Sequence, residues 1–371
     1  MRRTALTVET RLAAAPPPLI GKNISLFRRA LLRWYDRHRR DLPWRKTRDP
    51  YRIWISEIML QQTRVAAVLD HYRFFLERFP NVEALAAASE DDVLAAWSGL
   101  GYYRRARMLH QCAKELVRNH ASQFPQSAEA LQQLPGIGRY TAAAIASIAF
   151  AEPVAVVDGN VERVLQRLTG VDLTTPQLWR QAQSLLAKSR PGDSNQSMME
   201  LGATICLPRE PKCADCPVRK WCVTQGEVSR AEQSSQSSRQ RKIEIWCSLD
   251  RRHGKVEGTG RGNAGGHRNT LTSANTNVKI RLVQRSTKIS LMAGMWELPQ
   301  SSAPPRHLPD SARWRSFRHS ITVTNYTVHV LRNTPLPSAL AAKSKWIAID
   351  RIPQLPITGL TRKILKADGI I

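Results

Sequence analysis

CLPREPKCADCPVRKWC, residues 206 to 222, carries four of the six cysteines in this chain. They are Cys206, Cys213, Cys216 and Cys222, with six, two and five residues between them. Four thiolates at such spacing can enclose one metal centre. Spacing alone leaves zinc and iron–sulfur open, with zinc the generic choice. Cys112 and Cys247 stand alone and read as small buried apolar residues.

Upstream of this loop, from about Ile24, the text is helical. Phe27, Leu31, Trp34 and Tyr35 recur at helical spacing, as do Val65, Val68, Leu69, Tyr72, Phe75, Leu76 and Phe79 before Pro80. Val161, Val164, Leu165 and Leu168 form a further stripe. All of these read as ordinary core. Downstream the text changes. SRAEQSSQSSRQRK is a linker by composition. Beyond it IEIWCSL, NVKIRLVQR, ITVTNYTVHVLR and KWIAID alternate apolar and polar residues, as strands do. A Gly/Asn/Thr-rich stretch, 254–277, is expected to be a disordered insertion.

The chain has 371 residues and a formal net charge of +26. That excess favours a polyanionic partner held by salt-dependent, sequence-blind phosphate contacts, although a merely basic soluble protein would share it. No apolar run approaches the ~20 residues of a membrane span, so no membrane partner is expected. MRRTALTVETRLAAAPPPLIG lacks a signal-peptide core, and Pro16, Pro17 and Pro18 read as a tail. The expected location is cytoplasmic, on a bacterial nucleoid; the Arg-bearing, acid-poor start also fits an organelle address.

Three further stretches carry chemistry. LPGIGRY, residues 134 to 140, places Gly136 and Gly138 before an Ala-rich helical run, which alone fits any tight helix–helix turn. In DLPWRKTRDPYRIWISEIMLQQTRV, residues 41 to 65, Glu57 lies among Trp54, Ile55, Ile58 and Met59. An acid held in such apolar surroundings keeps its proton near neutrality; read plainly, Glu57 is an acid early in a helix. In AVVDGNVERVLQRL, residues 155 to 168, Asp158 has the position of a helix cap.

Taken together these motifs resemble the endonuclease III family of helix-hairpin-helix DNA glycosylases, strongly over about 24–225. The signature around Glu57 and the Tyr at position 140 resemble its MutY-type adenine glycosylases. The resemblance implies that Cys206, Cys213, Cys216 and Cys222 hold a [4Fe–4S] cluster, and that Arg209 and Lys212 of this loop face a DNA backbone. It implies that Gly136 and Gly138 let the main chain approach a phosphate beside a helix N-terminus. Bifunctional members carry a Lys where this chain has Tyr140, so a monofunctional enzyme is implied. Glu57 matches the general acid that protonates adenine, and Asp158 the carboxylate that stabilises the cation left on the sugar. Arg45, Glu57 and Tyr140 would line the adenine pocket. Gln62 and Tyr102 would enter the duplex when the base is extruded, with Leu60 and Gln61 on the same segment. Arg104, Arg105 and Arg107 are candidate phosphate contacts or simply a solvated basic face.

ISLMAGMWELPQ, residues 289 to 300, resembles a segment of the MutT-like domains attached to MutY enzymes, loosely over about 278–360. There is no Nudix hydrolase box, so binding of 8-oxoguanine rather than hydrolysis is implied. Aligning His319 leaves Ile321, Thr322 and Val323 in the sensing loop, with Thr322 in place of the usual Ser.

The expected architecture is multidomain. It has a tail at 1–22 and an all-α helix-hairpin-helix glycosylase domain with a [4Fe–4S] loop at 23–226. That domain divides into a six-helix barrel at about 44–156 and a cluster domain from 23–43 and 157–226, with DNA across the cleft between them. A linker at 227–242 and an α+β MutT-like (Nudix-fold) domain at 243–371 follow. The expected partner of this monomer is double-stranded DNA with adenine opposite 8-oxoguanine or guanine. Rival readings are a glycosylase for oxidised pyrimidines or mismatched thymine, and a non-catalytic DNA-binding protein.

Overall fold

The computed structural model describes residues 22–226, 241–253, 278–286, 288, 292–305, 312–321, 324–332 and 343–371. Residues 1–21 of the expected tail, 227–240 of the linker, the 254–277 insertion, and Thr322 with Val323 lie outside the described residues.

By contact density the chain parts into two units, 1–57 with 124–235, and 58–123 with 236–371. The division does not follow chain order and falls inside one helix, α2 (Pro50–Leu60).

The first unit is helical. It holds α1 (Lys22–His38), the short α7 (Ala128–Leu131), α8 (Arg139–Ala149), α9 (Gly159–Thr169), α10 (Thr175–Leu185) and α11 (Pro191–Thr204). The stripe Phe27, Leu31, Trp34 and Tyr35 of α1 packs on Val161, Val164, Leu165 and Leu168 of α9 and on Met198 and Leu201 of α11. Trp221 closes this core edge-on to Phe27, ring centres 5.7 Å apart. Each such side chain removed from water contributes about 1.5–3 kcal/mol before entropy is counted. Small residues let α11 meet α8: a Cβ on Gly192 would lie 2.9 Å from Ile148 Cα and from the Ser147 carbonyl oxygen. Among the described residues, no strand pairs with the extended segment 153–156. Side chains meet its polar groups instead: Gln183 accepts from Ala155 N at 2.8 Å, and Asn195 accepts from Val156 N at 3.0 Å while donating to Val154 O at 2.9 Å. An orphaned buried amide would be costly, so these bonds fix the segment that leads, through Val157, to Asp158.

The second unit joins α3 (Val65–Arg78), α4 (Val82–Ala87), α5 (Glu90–Trp97) and α6 (Arg104–Asn119) to the C-terminal α+β region. The strands are β1 (Arg241–Leu249), β2 (Arg251–His253), β3 (Val278–Gln284), β4 (Trp296–Glu297), β5 (Gln300–Ser301), β6 (Arg313–Ile321), β7 (Thr324–Arg332) and β8 (Ser344–Ala348), followed by α12 (Gly359–Ala367). One sheet runs β5–β1–β7–β6, with β1 parallel to β7; in the other β3 pairs with β2, β4 and β8. Ile245, Ile280, Trp296, Val328, Ile364 and Leu365 meet in one core. The helical part docks here through polar contacts: Ser98 Oγ donates to the Ile357 carbonyl at 2.7 Å and accepts from Arg362 Nε at 3.1 Å. Among the described residues, no helix is long and apolar enough to cross a membrane.

Candidate active site

The first unit brings Glu57, Tyr140, Asp158 and Arg45 together. Every residue of α2 from Ile53 to Met59 is buried, so this stretch of the helix is enclosed nearly all round, and Glu57 within it is only 6% exposed. α8 begins at Arg139 without a side-chain cap and presents Tyr140 in its first turn. The Tyr140 hydroxyl donates to Glu57 Oε2 at 2.7 Å and lies 3.5 Å from Met199 Sδ of α11. Burial, above all, raises the Glu57 carboxyl to about 7. The Tyr140 hydrogen bond and the Arg45 charge pull it down, and the Asp158 anion pushes it up. Burial also holds the Tyr140 phenol well above its ordinary value, so at neutral pH it keeps the proton it donates to Glu57.

Asp158 caps α9, and its Oδ1 accepts from Asn160 N at 3.0 Å and Val161 N at 2.8 Å. Asn160 Nδ2 donates to Oδ2 at 2.9 Å. Glu57 can thus hold a proton at neutral pH, and near it Asp158 is fixed by three donors, an arrangement that suits an acid and an electrostatic stabiliser.

Arg45 is placed by a residue the sequence reading missed. Arg45 Nη2 donates to Glu200 Oε2 at 2.6 Å, and Arg40 donates to both oxygens of Glu200, at 2.8 and 2.7 Å. The Glu200 side chain is 0% exposed. Burial alone would raise its carboxyl, but the bonds from Arg40 and Arg45 hold it down at about 2. A signal for Glu200 existed. It is an acid in the C-terminal half of α11, where the helix dipole disfavours an anion, and its neighbours Met198, Met199 and Leu201 are apolar. Asn195 was missed for a plainer reason, because a helix-interior Asn carries no mark of the segment it holds.

The other expected residues divide as follows. Gly136 has φ 76°, a left-handed value that favours glycine, whereas Gly138 is extended at φ −84° and caps α8. A Cβ on Gly138 would meet nothing within 4 Å, so the main chain there is open to close approach. Arg209 and Lys212 are exposed. In the second unit, Leu60 and Gln61 are half-buried and Gln62 and Tyr102 exposed. Two of the candidate phosphate contacts are corrected. Arg105 turns inward onto main-chain carbonyls, and Arg107 is taken by Glu90 at 2.8 Å and by the Ala293 carbonyl. Arg104 remains exposed.

The four loop cysteines are free thiols. Burial first, and neighbouring thiols after it, raise Cys216 to about 11, and Cys213 is raised for the same reasons. Arg167 Nη1 donates to Cys206 Sγ at 3.4 Å, and the Cys222 thiol donates to the Arg167 carbonyl at 3.3 Å. The loop offers four soft sulfur donors with a buried guanidinium at Cys206, a donor chemistry that thiolate-held centres use. Among the described residues, no group of three or more His, Cys, Asp or Glu stands at metal-holding spacing.

Comparison with known proteins agrees with this geometry. The profile described as "HhH-GPD superfamily base excision DNA repair protein" matches residues 55–188. The chain is 46% identical to adenine DNA glycosylase of Mus musculus over 228 residues, covering 57% of this chain and 44% of that protein. It is 46% identical to adenine DNA glycosylase of Homo sapiens over 224 residues, covering 56% and 41%. It thus spans less than half the length of these curated relatives. The solved structure of a thermostable thymine-DNA glycosylase superposes with a TM-score of 0.52 at 32% identity, covering 55% of this chain and 97% of that one. The chain belongs to the HhH-GPD superfamily of base excision DNA repair proteins.

Proposed function

We propose that this chain is a monofunctional adenine DNA glycosylase, which hydrolyses the N-glycosidic bond of adenine mispaired with 8-oxoguanine or guanine and leaves an abasic site. One observation carries the reading: a buried Glu57 carboxyl with a proton affinity near 7, hydrogen-bonded by Tyr140 and electrostatically coupled to Asp158. Adenine leaves deoxyribose slowly unless a ring nitrogen is protonated. Glu57 delivers that proton to the extruded base. Tyr140 keeps one carboxyl oxygen occupied as acceptor, so the proton sits on the other. Asp158, anchored by three donors, meets the positive charge developing on the sugar. Water then completes the hydrolysis. No lysine stands at position 140 to form a Schiff base, so the strand is not cut.

The rest of the chain supports DNA attachment. Gly138 leaves the main chain open to a phosphate, Gly136 turns the chain through left-handed backbone, and the exposed Arg209 and Lys212 add charge. Cys206, Cys213, Cys216 and Cys222 would hold a [4Fe–4S] cluster, whose contribution there is to fix the basic loop in shape. The C-terminal α+β region is proposed as a MutT-like module that senses 8-oxoguanine, Thr322 being its candidate contact. A cytoplasmic, nucleoid-bound monomer fits these roles.

The test is a labelled duplex with adenine opposite 8-oxoguanine, read before and after alkali. Cutting only after alkali is expected. Immediate cutting would mean a lyase, and intact duplex in both conditions would leave a binding protein. Iron and sulfide analysis of the purified chain tests the cluster, and zinc in their place would overturn it.

A further inference from the structure

Gln62 and Tyr102 share an unusual feature: each is an exposed non-glycine residue in left-handed backbone, at φ 54° and 50°. That region is disfavoured for any residue with a Cβ, so something outside each residue must hold it there. They lie in two separate turns, one after α2 and one before α6. A single side chain joins the turns. Arg105 Nη1 donates to the carbonyls of Ile58, Met59 and Gln61 at 2.7, 3.2 and 2.5 Å. Its Nη2 reaches Thr63 Oγ1 at 3.3 Å and the carbonyls of Leu100 and Gly101 at 3.4 and 3.3 Å. The guanidinium also lies over the rings of Trp97 and Tyr102, at 5.5 and 5.3 Å.

We propose that Arg105 is the positioning residue that fixes Gln62 and Tyr102 in left-handed backbone, so that both side chains are presented together to a DNA duplex. The chemistry suits Arg alone. The end of α2 leaves carbonyls without intrahelical partners, and a cation there is favoured. A planar fork with five donors can serve two turns at once, whereas an ammonium cannot. Arg105 thus directs its charge chiefly at main-chain oxygens. Burial draws its proton affinity down to about 10, which leaves it charged at neutral pH. Trp97 Nε1 adds a bond to the Gly101 carbonyl at 3.1 Å, bracing the second turn from the other side.

The presentation to DNA rests on the glycosylase reading; the staple itself does not. Amide exchange of the full chain separates them. In Arg105→Lys, residues 59–63 and 99–103 should exchange about tenfold faster together, while α8 keeps its protection and reports that the chain is folded. Arg105→Gln gives the same comparison should the lysine variant lose protection throughout. Unchanged exchange in both turns, or a change in one only, would overturn the staple. In excision of adenine opposite 8-oxoguanine, Gln62→Ala and Tyr102→Ala should each slow the native chain yet add less than about twofold to Arg105→Lys. Effects that multiply would overturn the positioning role. A native chain that excises nothing would sink the glycosylase reading, and the exchange result would still decide for or against the staple.

Discussion

Two half-buried arginines, Arg45 and Arg105, hold the two regions that matter, and they do so in opposite ways. In the first unit Arg45 ends on a carboxylate, Glu200, which also binds Arg40. In the second Arg105 ends on carbonyls. The first is a compensated charge network, tight and sensitive to the loss of either sign. The second spreads one charge over dipoles and ties together backbone that resists its own conformation. A network of the first kind sets proton affinities, which the Glu57 site needs. A staple of the second kind sets shape, which a pair of exposed probing side chains needs. Chemistry and geometry are thus assigned to different units of the molecule.

The comparison breaks most visibly at Glu57. Glu57→Gln should lower single-turnover excision by about 10³-fold while duplex binding persists. Retained excision would place the acid elsewhere. The same variant has a stability signature. The Glu57 carboxyl is raised in the folded chain, so its favourable contribution is complete below about 4.5 and is lost as pH rises through about 7. The melting temperature of Glu57→Gln should therefore gain on the native chain between pH 5 and pH 8, by up to about 3 kcal/mol of stability.

Glu200→Gln sharpens the contrast from the other sign. It strands two guanidiniums and should cost about 3 kcal/mol at neutral pH. Glu200 is depressed to about 2, so that stabilisation is present above about 4.5 and is lost as the pH falls toward 2. Chemical denaturation across that range should show the gap between variant and native chain closing in acid. Asn195→Ala, which orphans Val156 N beside Asp158, should cost about 1–3 kcal/mol and slow excision, since it frees the segment that places the fixed anion. Tyr140→Phe should have the smallest effect, less than about tenfold in rate. It removes a bond that lowers Glu57, so the alkaline fall in activity should move to higher pH.

Much of this was legible. β1, β3, β7 and β8 were read from alternation; β6 was not, because Arg313, Arg315 and Arg318 interrupt the apolar pattern of a half-exposed strand. Glu57, Tyr140 and Asp158 were found because each sits in a local motif. Asp158 caps α9, as its position suggests, and it is also electrostatically coupled to Glu57. The arginines of α6 show where the sequence stops informing. Arg104 and Arg105 are adjacent and chemically identical, yet one helical step sends the first to solvent and the second into two turns. Glu200 lies 155 positions from Arg45 along the chain, and no local pattern encodes that pairing.

The pH dependence of single-turnover excision tests the central claim most directly. With Glu57 as a proton donor of affinity near 7, the rate should be level in mild acid and fall tenfold per pH unit above about 7. A rate that stays level to pH 9, or that rises through neutrality, would contradict a buried acid at the centre of this site.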